Sequence, residues 1–169
     1  VHPPSARNNF DEIIEYSKLS NNKIHTVGKK PNGKFIDYLI KASPDIILVV
    51  SWTYILQENI YKLPSRGCLN FHMSFLPFNR GKKPNVWPII DGTPAGVSIH
   101  YIDEGIDSGQ IIAQKEVDVE AIDTAKTLYE KLINQLPKLF EEAWPKIKAG
   151  KFTTLQKKEK GSFHWGKDF

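Results

Sequence analysis

Apolar positions in this chain cluster first in Asp45-Ile46-Ile47-Leu48-Val49-Val50, a run that does not alternate with polar residues. An unbroken run of this length predicts a strand buried on both faces, as in a parallel sheet covered by helices. Upstream, Phe35, Ile36, Leu39 and Ile40 recur at helical spacing, and Pro44 ends that helix. Downstream come a helix over Gln57–Leu63 and a strand from Cys68 to Phe71. Helix, buried strand, helix, strand is the order of a doubly wound α/β fold with a mostly parallel open sheet. Val97, Ile99 and Tyr101 alternate with Ser98 and His100, which predicts a strand exposed on one face. Ile111, Ala113, Val117 and Val119 predict another.

Leu128, Leu132, Ile133, Leu136, Leu139, Phe140, Ala143, Trp144 and Ile147 are expected on one side of a long helix, with Asp123 as its cap. Pro137 removes a donor inside it and predicts a kink or a break. Before the central run, Phe10, Ile13, Ile14 and Tyr16 suit a helix capped by Asn8 or Asn9. Lys23–Val27 suits a short strand, followed by turn residues to Gly33. Beyond Gly150 the helical pattern stops, so 1–150 reads as the main domain and 151–169 as an extension or arm.

A length of 169 residues suits one domain with a real core. The single cysteine, Cys68, excludes an internal disulfide, and its apolar strand predicts a buried, inert thiol. Net charge is +4, but seven lysines from Lys146 onward face only Glu159 and Asp168, which leaves the preceding residues at −1. A lysine-rich end on a nearly neutral domain differs from the broad basic face of a nucleic-acid binder. There is no run of 18 apolar residues, so no membrane partner is expected, and the reading is cytoplasmic.

The candidate chemistry sits between Cys68 and Ile112. Residues two apart in a strand share a face, so Asn70 and His72 point the same way. The previous strand delivers Ser51-Trp52-Thr53-Tyr54 to the neighbouring end, and open α/β sheets gather ligands at such ends. Asp107 follows the strand Gly96–Tyr101. A side-chain amide such as Asn70 can donate to an oxyanion, the His72 imidazole can move a proton, and the Asp107 carboxylate can hold the imidazolium and is expected to raise its pKa. His100 takes an outward position, or one behind the reacting groups. No metal site is expected, because His72 and His100 lack partners at ligand spacing. Gly33-Lys34 and Gly81-Lys82 lack the glycine and hydroxyl residue of a phosphate-binding loop.

Asn70-x-His72-x-Ser74-x-Leu76-Pro77, Arg80-Gly81-x-x-Pro84-Asn85-x-Trp87 and the run from Gly96 to Gly109 resemble the folate-dependent formyltransferase family. The match spreads over roughly forty ordered positions, far more than a lone Asn-x-His. The resemblance implies a Rossmann-like formyltransferase fold with Asn70, His72 and Asp107 as the catalytic set. It implies 10-formyltetrahydrofolate as formyl donor, in a slot built by Tyr54, Ile55 and Leu56 and by Asp103, Gly105 and Ile106. The acceptor side would use Arg80, Asn85, Trp87 and Tyr101, with Lys82 and Lys83 near a diphosphate. The family's domain opens with a strand–helix–strand unit, and against it this sequence begins partway through.

Within the family, the Arg80–Trp87 loop, Thr127-Leu128-Tyr129, Leu139-Phe140 through Trp144-Pro145, and the ending from Gln156 through Gly161-Ser162-Phe163-His164 to Phe169 resemble the nucleotide-sugar N-formyltransferases. The implied acceptor is the primary amine of an amino-sugar nucleotide, in the making of a surface polysaccharide such as lipopolysaccharide. A homodimer is compatible with this. The alternatives are transfer to methionyl-tRNA or glycinamide ribonucleotide, hydrolysis of the formyl donor, and a non-catalytic remnant that binds folate or a partner.

Overall fold

The computed structural model describes Val27, residues 31–155 and residues 160–168. The helix expected along Phe10–Tyr16, nearly all of the strand expected at Lys23–Val27, and the terminal Gln156 and Phe169 lie outside the described residues. Within them the elements are α1 (Gly33–Ala42), β1 (Ile47–Val50), α2 (Glu58–Tyr61), β2 (Cys68–His72), β3 (Arg80–Gly81), α3 (Trp87–Asp91), β4 (Gly96–Tyr101), β5 (Ile111–Glu116), α4 (Ala125–Ala149) and β6 (Phe163–His164).

Four strands form one open sheet in the order β1-β2-β4-β5. β1 and β2 run parallel, with Val49 opposite Asn70. β4 lies antiparallel to β2, and β5 antiparallel to β4. The fold is α/β as expected, with a mixed sheet among the described residues. Within this sheet, among the described residues, β1 and β2 are the parallel pair, joined through a helix. After His72 the chain returns through loops and the short α3, so β4 enters in the opposite sense.

Alternation gives the sheet an apolar and a polar face. Leu69, Phe71, Val97 and Ile99 join Leu128, Leu132, Leu136, Leu139, Ala143 and Ile147 of α4 in the main core. The intervening Asn70, His72, Ser98 and His100 therefore occupy the other face. That face is not exposed as the alternation predicted: Ser98 is fully buried and His100 is 2% exposed. Ser98 Oγ donates to the Ser74 carbonyl at 2.7 Å and accepts from Leu76 N at 3.2 Å, so the loop after β2 is bonded down over it. Polar alternation here marks a covered polar layer rather than water.

β1 departs from its expectation in the other direction. Leu48 and Val50 are 37% and 56% exposed. A cavity of about 140 Å³, lined by Phe35 and Leu39 of α1 and by Leu48, Val50, Trp52 and Ile60, separates this strand from its covering helix. An unbroken apolar run states what a strand can bury, and α1 does not close on it completely.

α4 is continuous through Pro137 and Pro145, without the predicted break. Buried leucines on both sides of Pro137 hold the turn against the sheet, which offsets one lost backbone bond. Its N-cap is Thr124 rather than Asp123. Thr124 Oγ1 accepts from Thr127 N at 3.2 Å, and Thr127 Oγ1 accepts from Thr124 N at 2.9 Å. Asp123 stands one residue outside, accepting from Glu120 N, Thr127 Oγ1 and Lys131 Nζ, and the Lys131 contact leads in pushing its carboxyl down to about 2. At the far end Arg66 donates to the carbonyls of Ile147 and Lys148, the open acceptors of a helix C-terminus. Among the described residues no helix is long and apolar enough to cross a membrane.

The chain beyond Gly150 packs back on the sheet layer. Leu155 bridges Ile111, and β6 pairs in parallel with β3, Arg80 opposite Phe163 and Gly81 opposite His164.

Candidate active site

Asn70 and His72 project together from the end of β2, as their spacing requires. β4 places His100 directly opposite Asn70. β4 then runs into a loop that folds back: Ile102 N donates to Cys68 O at 2.9 Å, and Tyr101 N to Gln110 O at 2.9 Å. Asp103 Oδ1 braces this loop from inside, accepting from Gly105 N at 3.1 Å and Ser108 Oγ at 2.6 Å. Its tip carries Asp107, in the left-handed region at φ 50. The fold-back delivers the carboxylate to the polar face.

Four side chains converge there. Asp107 Oδ2 lies 3.6 Å from His72 Nε2, and Asp107 Oδ1 lies 3.6 Å from His100 Nε2. Asn70 Nδ2 donates to Asp107 Oδ1 at 3.4 Å and sits 3.2 Å from His100 Nε2. Gly81 N donates to Asp107 Oδ2 at 2.9 Å. His100 Nδ1 donates to its neighbour's carbonyl, Tyr101 O, at 2.8 Å, which fixes the ring. The structure thus brings together all three expected catalytic residues and adds His100 behind them. The antiparallel register that sets His100 beside Asn70 had no marker in the local sequence.

Burial dominates the protonation of His72 and pushes its pKa below that of an ordinary histidine. Asp107 and a backbone hydrogen bond with Asn79 pull the other way without winning. The resting imidazole is therefore a neutral base, whereas a neighbouring carboxylate alone would have favoured the charged ring. Because the folded chain binds this proton less tightly than the unfolded chain, the unfolded state holds more protons on the acid side. Stability should accordingly fall as pH drops through and below the ordinary histidine value of roughly 6.5. His72→Gln should flatten that slope in urea unfolding measured between about pH 5 and 7.5. An unchanged slope would refute this electrostatic account.

The remaining expected residues divide. Tyr54, Ile55 and Leu56 leave the sheet at the end of β1, beside the His72 end of β2, and Ile55 is 80% exposed. Trp52 Nε1 is buried without a hydrogen-bond partner, and its ring meets Tyr54 edge-on at 5.8 Å. Arg80 is half-buried with its guanidinium 5.6 Å above the Phe163 ring, and its Nε also lacks a partner. Lys82 Nζ reaches Thr53 O at 3.2 Å, joining the two loops.

Three side chains expected on the acceptor side are engaged within the protein. Trp87 is 7% exposed, stacked on His164 at 3.8 Å, and donates to Lys82 O, so its ring is not an open platform. Tyr101 faces the apolar side, where it packs against the core and Phe152. Asn85 gives its amide to Ala125 O at 2.8 Å, pinning the loop to the start of α4. A conspicuous aromatic or amide in a loop serves packing as readily as binding, and only the register separates the two. Cys68 is buried as expected, with its thiol pushed up to about 12 by burial. Among the described residues no group of three or more His, Cys, Asp or Glu could hold a metal ion.

An amide, a neutral imidazole and a carboxylate on one polar face of an open α/β sheet are the groups that acyl transfer to an amine requires. The chain belongs to the formyl transferase family, which it matches over residues 9–144. It is 35% identical over 131 residues to the methionyl-tRNA formyltransferase of Caldanaerobacter subterraneus subsp. tengcongensis, covering 77% of this chain and 42% of that protein. Among solved structures it is similar to the formyltransferase PseJ from Anoxybacillus kamchatkensis, in complex with UDP-4,6-dideoxy-4-formamido-L-AltNAc and tetrahydrofolate. That likeness has a TM-score of 0.75 and 33% identity, over 94% of this chain and 82% of that one. A 4-N formyltransferase from Francisella tularensis matches with a TM-score of 0.79 and 26% identity, over 98% and 64%.

Proposed function

We propose that this chain transfers a formyl group from 10-formyltetrahydrofolate to the primary amine of an amino-sugar nucleotide. The observation that carries the reading is the convergence of Asn70, His72 and Asp107 from two separate segments onto one half-buried face. The amine nitrogen adds to the formyl carbon, and the carbonyl oxygen becomes an oxyanion. Asn70 donates to that oxygen; its 3.4 Å contact with Asp107 is long for a hydrogen bond and is the one the oxyanion replaces. His72, neutral at rest, takes the amine proton, and Asp107 stabilises the imidazolium that forms. Collapse breaks the bond to N10 of the folate, which receives a proton as it leaves. One proton thus passes in net from acceptor to donor nitrogen.

The donor slot in this reading lies between Tyr54, Ile55 and Leu56 and the loop of Asp103, Gly105 and Ile106. An exposed apolar residue at Ile55 and a loop braced from within by Asp103 suit a flat heterocycle held through backbone groups. Arg80 is the acceptor-side cation retained, since its Nε has no protein partner to satisfy it. The sugar-nucleotide assignment is supported by the Anoxybacillus enzyme, whose structure holds a formamido sugar nucleotide. A second reading, transfer to methionyl-tRNA, is supported by relatives such as the Caldanaerobacter enzyme. The buried thiol suits a reducing compartment, the cytoplasm.

An acceptor screen with 10-formyltetrahydrofolate decides between them. The expected result is formylation of at least one amino-sugar nucleotide, the first candidate being the amine that corresponds to the formamido ligand of the Anoxybacillus enzyme. Arg80→Ala should raise the acceptor KM far more than the folate KM. Transfer to methionyl-tRNA or glycinamide ribonucleotide, with none to a broad amino-sugar panel, would overturn the assignment.

A further inference from the structure

Loop 79–82 touches both the candidate base and its carboxylate. Gly81 N holds Asp107 Oδ2, the oxygen that also faces His72. Asn79 meets His72 through its backbone. This loop cannot hold its own shape cheaply, since Asn79 is a fully buried polar residue at φ 56 and Gly81 lies at φ 93.

The C-terminal strand supplies what the loop lacks. Arg80 N donates to Ser162 O and Lys82 N to His164 O, each at 3.1 Å. Ser162 Oγ accepts from Asn79 N at 2.8 Å and donates to Asn79 Oδ1 at 3.2 Å, so it takes the backbone N–H and shares the side-chain oxygen with Thr93 Oγ1, which donates to it at 3.0 Å. A Cβ on Gly81 would come within 2.3 Å of His164 O, which shows how closely the strand backs the loop. The strand is anchored in turn: the His164 ring stacks on Trp87, and its Nε2 lies 3.2 Å from Asp91 Oδ2.

We propose that β6 with the preceding Ser162 is a positioning segment of the active site, which fixes the backbone of Asn79–Lys82 and through it the carboxylate of Asp107 and the ring of His72. Ser162 is the positioning residue in which the side chain itself acts. The proposal rests on the reading of Asn70, His72 and Asp107 as the catalytic set. A strand that merely added stability would leave the chemistry of His72 alone, whereas a positioning strand sets it.

The test is Ser162→Ala, read first by NMR titration of the His72 ring proton, assigned with His72→Gln. Both contacts secured by the strand raise the proton affinity of His72, so their loosening should move its titration to lower pH than in the parent chain. Turnover, followed with 10-formyltetrahydrofolate and the amino-sugar nucleotide used above, should fall roughly ten- to hundredfold with the folate KM unchanged. Ser162→Thr keeps the hydroxyl and should restore both readouts. His164→Ala, which loosens the anchor on Trp87 instead, should shift both in the same direction. A folded Ser162→Ala chain with the parent's His72 titration and turnover overturns the proposal. So does failure of both alanine variants to fold, which would assign the strand to stability. The two readings fail separately: full turnover in His72→Ala removes the catalytic set itself, while an inactive His72→Ala beside an unaffected Ser162→Ala removes only the positioning role.

Discussion

His72→Ala should give a folded chain that transfers formyl at least about a hundredfold more slowly, the loss expected when a general base is removed. The fold should survive for a local reason. β2 is held by backbone pairing to β1 and β4, and the core uses Leu69 and Phe71 on the opposite face. Removing a ring that burial already keeps neutral leaves no new buried charge behind. Asn70→Ala should cost about 3–4 kcal/mol of transition-state stabilisation, the size found when one oxyanion donor is deleted. Asp107→Ala should also lower turnover by at least about a hundredfold, since the imidazolium formed in the transition state loses its stabilising charge. The three act as a unit, so the double Asn70→Ala/His72→Ala chain should be little worse than the poorer single variant. Circular dichroism and single-turnover formylation measure both halves of the claim. Near-normal turnover in a folded His72→Ala chain would sink the mechanism.

Much of this site was readable because strand parity is a strong constraint. Once Leu69 and Phe71 are apolar neighbours in a strand, Asn70 and His72 must share the other face. The long helix was equally legible, since its apolar positions recur at helical spacing, and of the nine expected on one face six are buried while Ile133 is 41% exposed. What sequence could not carry was anything fixed by pairing between distant segments. His100 reaches the site through its register opposite Asn70, 30 residues away. Trp87 and Asn85 are engaged by β6 and by the start of α4, contacts that local sequence does not announce. The sign of the His72 shift belongs with these cases: a nearby aspartate argues for a raised pKa, and only the depth of burial reverses it.

Among the described glycines, Gly109 in the loop that carries Asp107 has the least room for a side chain. A Cβ there would lie 1.8 Å from the Tyr101 carbonyl oxygen and 2.7 Å from the carbonyl carbon. Both are backbone atoms of β4, and the same residue donates its N–H to Gln110 O at the neck of the loop. Gly109→Ala must therefore open the neck, at the cost of about 1–3 kcal/mol usual for overpacking. Asp107, two residues away and already at φ 50, moves with it. A displacement on the order of 1 Å at a catalytic group can lower the rate about a hundredfold, so turnover should fall by much more than the fraction unfolded. Two glycines calibrate the result. Gly105→Ala meets the Ser108 side chain, which can move only by giving up its bond to Asp103 but leaves the backbone neck intact, and should be milder in both respects. Gly33→Ala meets nothing within 4 Å at the start of α1, and should leave stability equal or higher by about 0.4–1 kcal/mol through the unfolded chain. Urea unfolding of the three variants with parallel turnover assays gives the order. If Gly109→Ala matches Gly33→Ala in both stability and rate, the neck is not the constraint that holds Asp107 against His72.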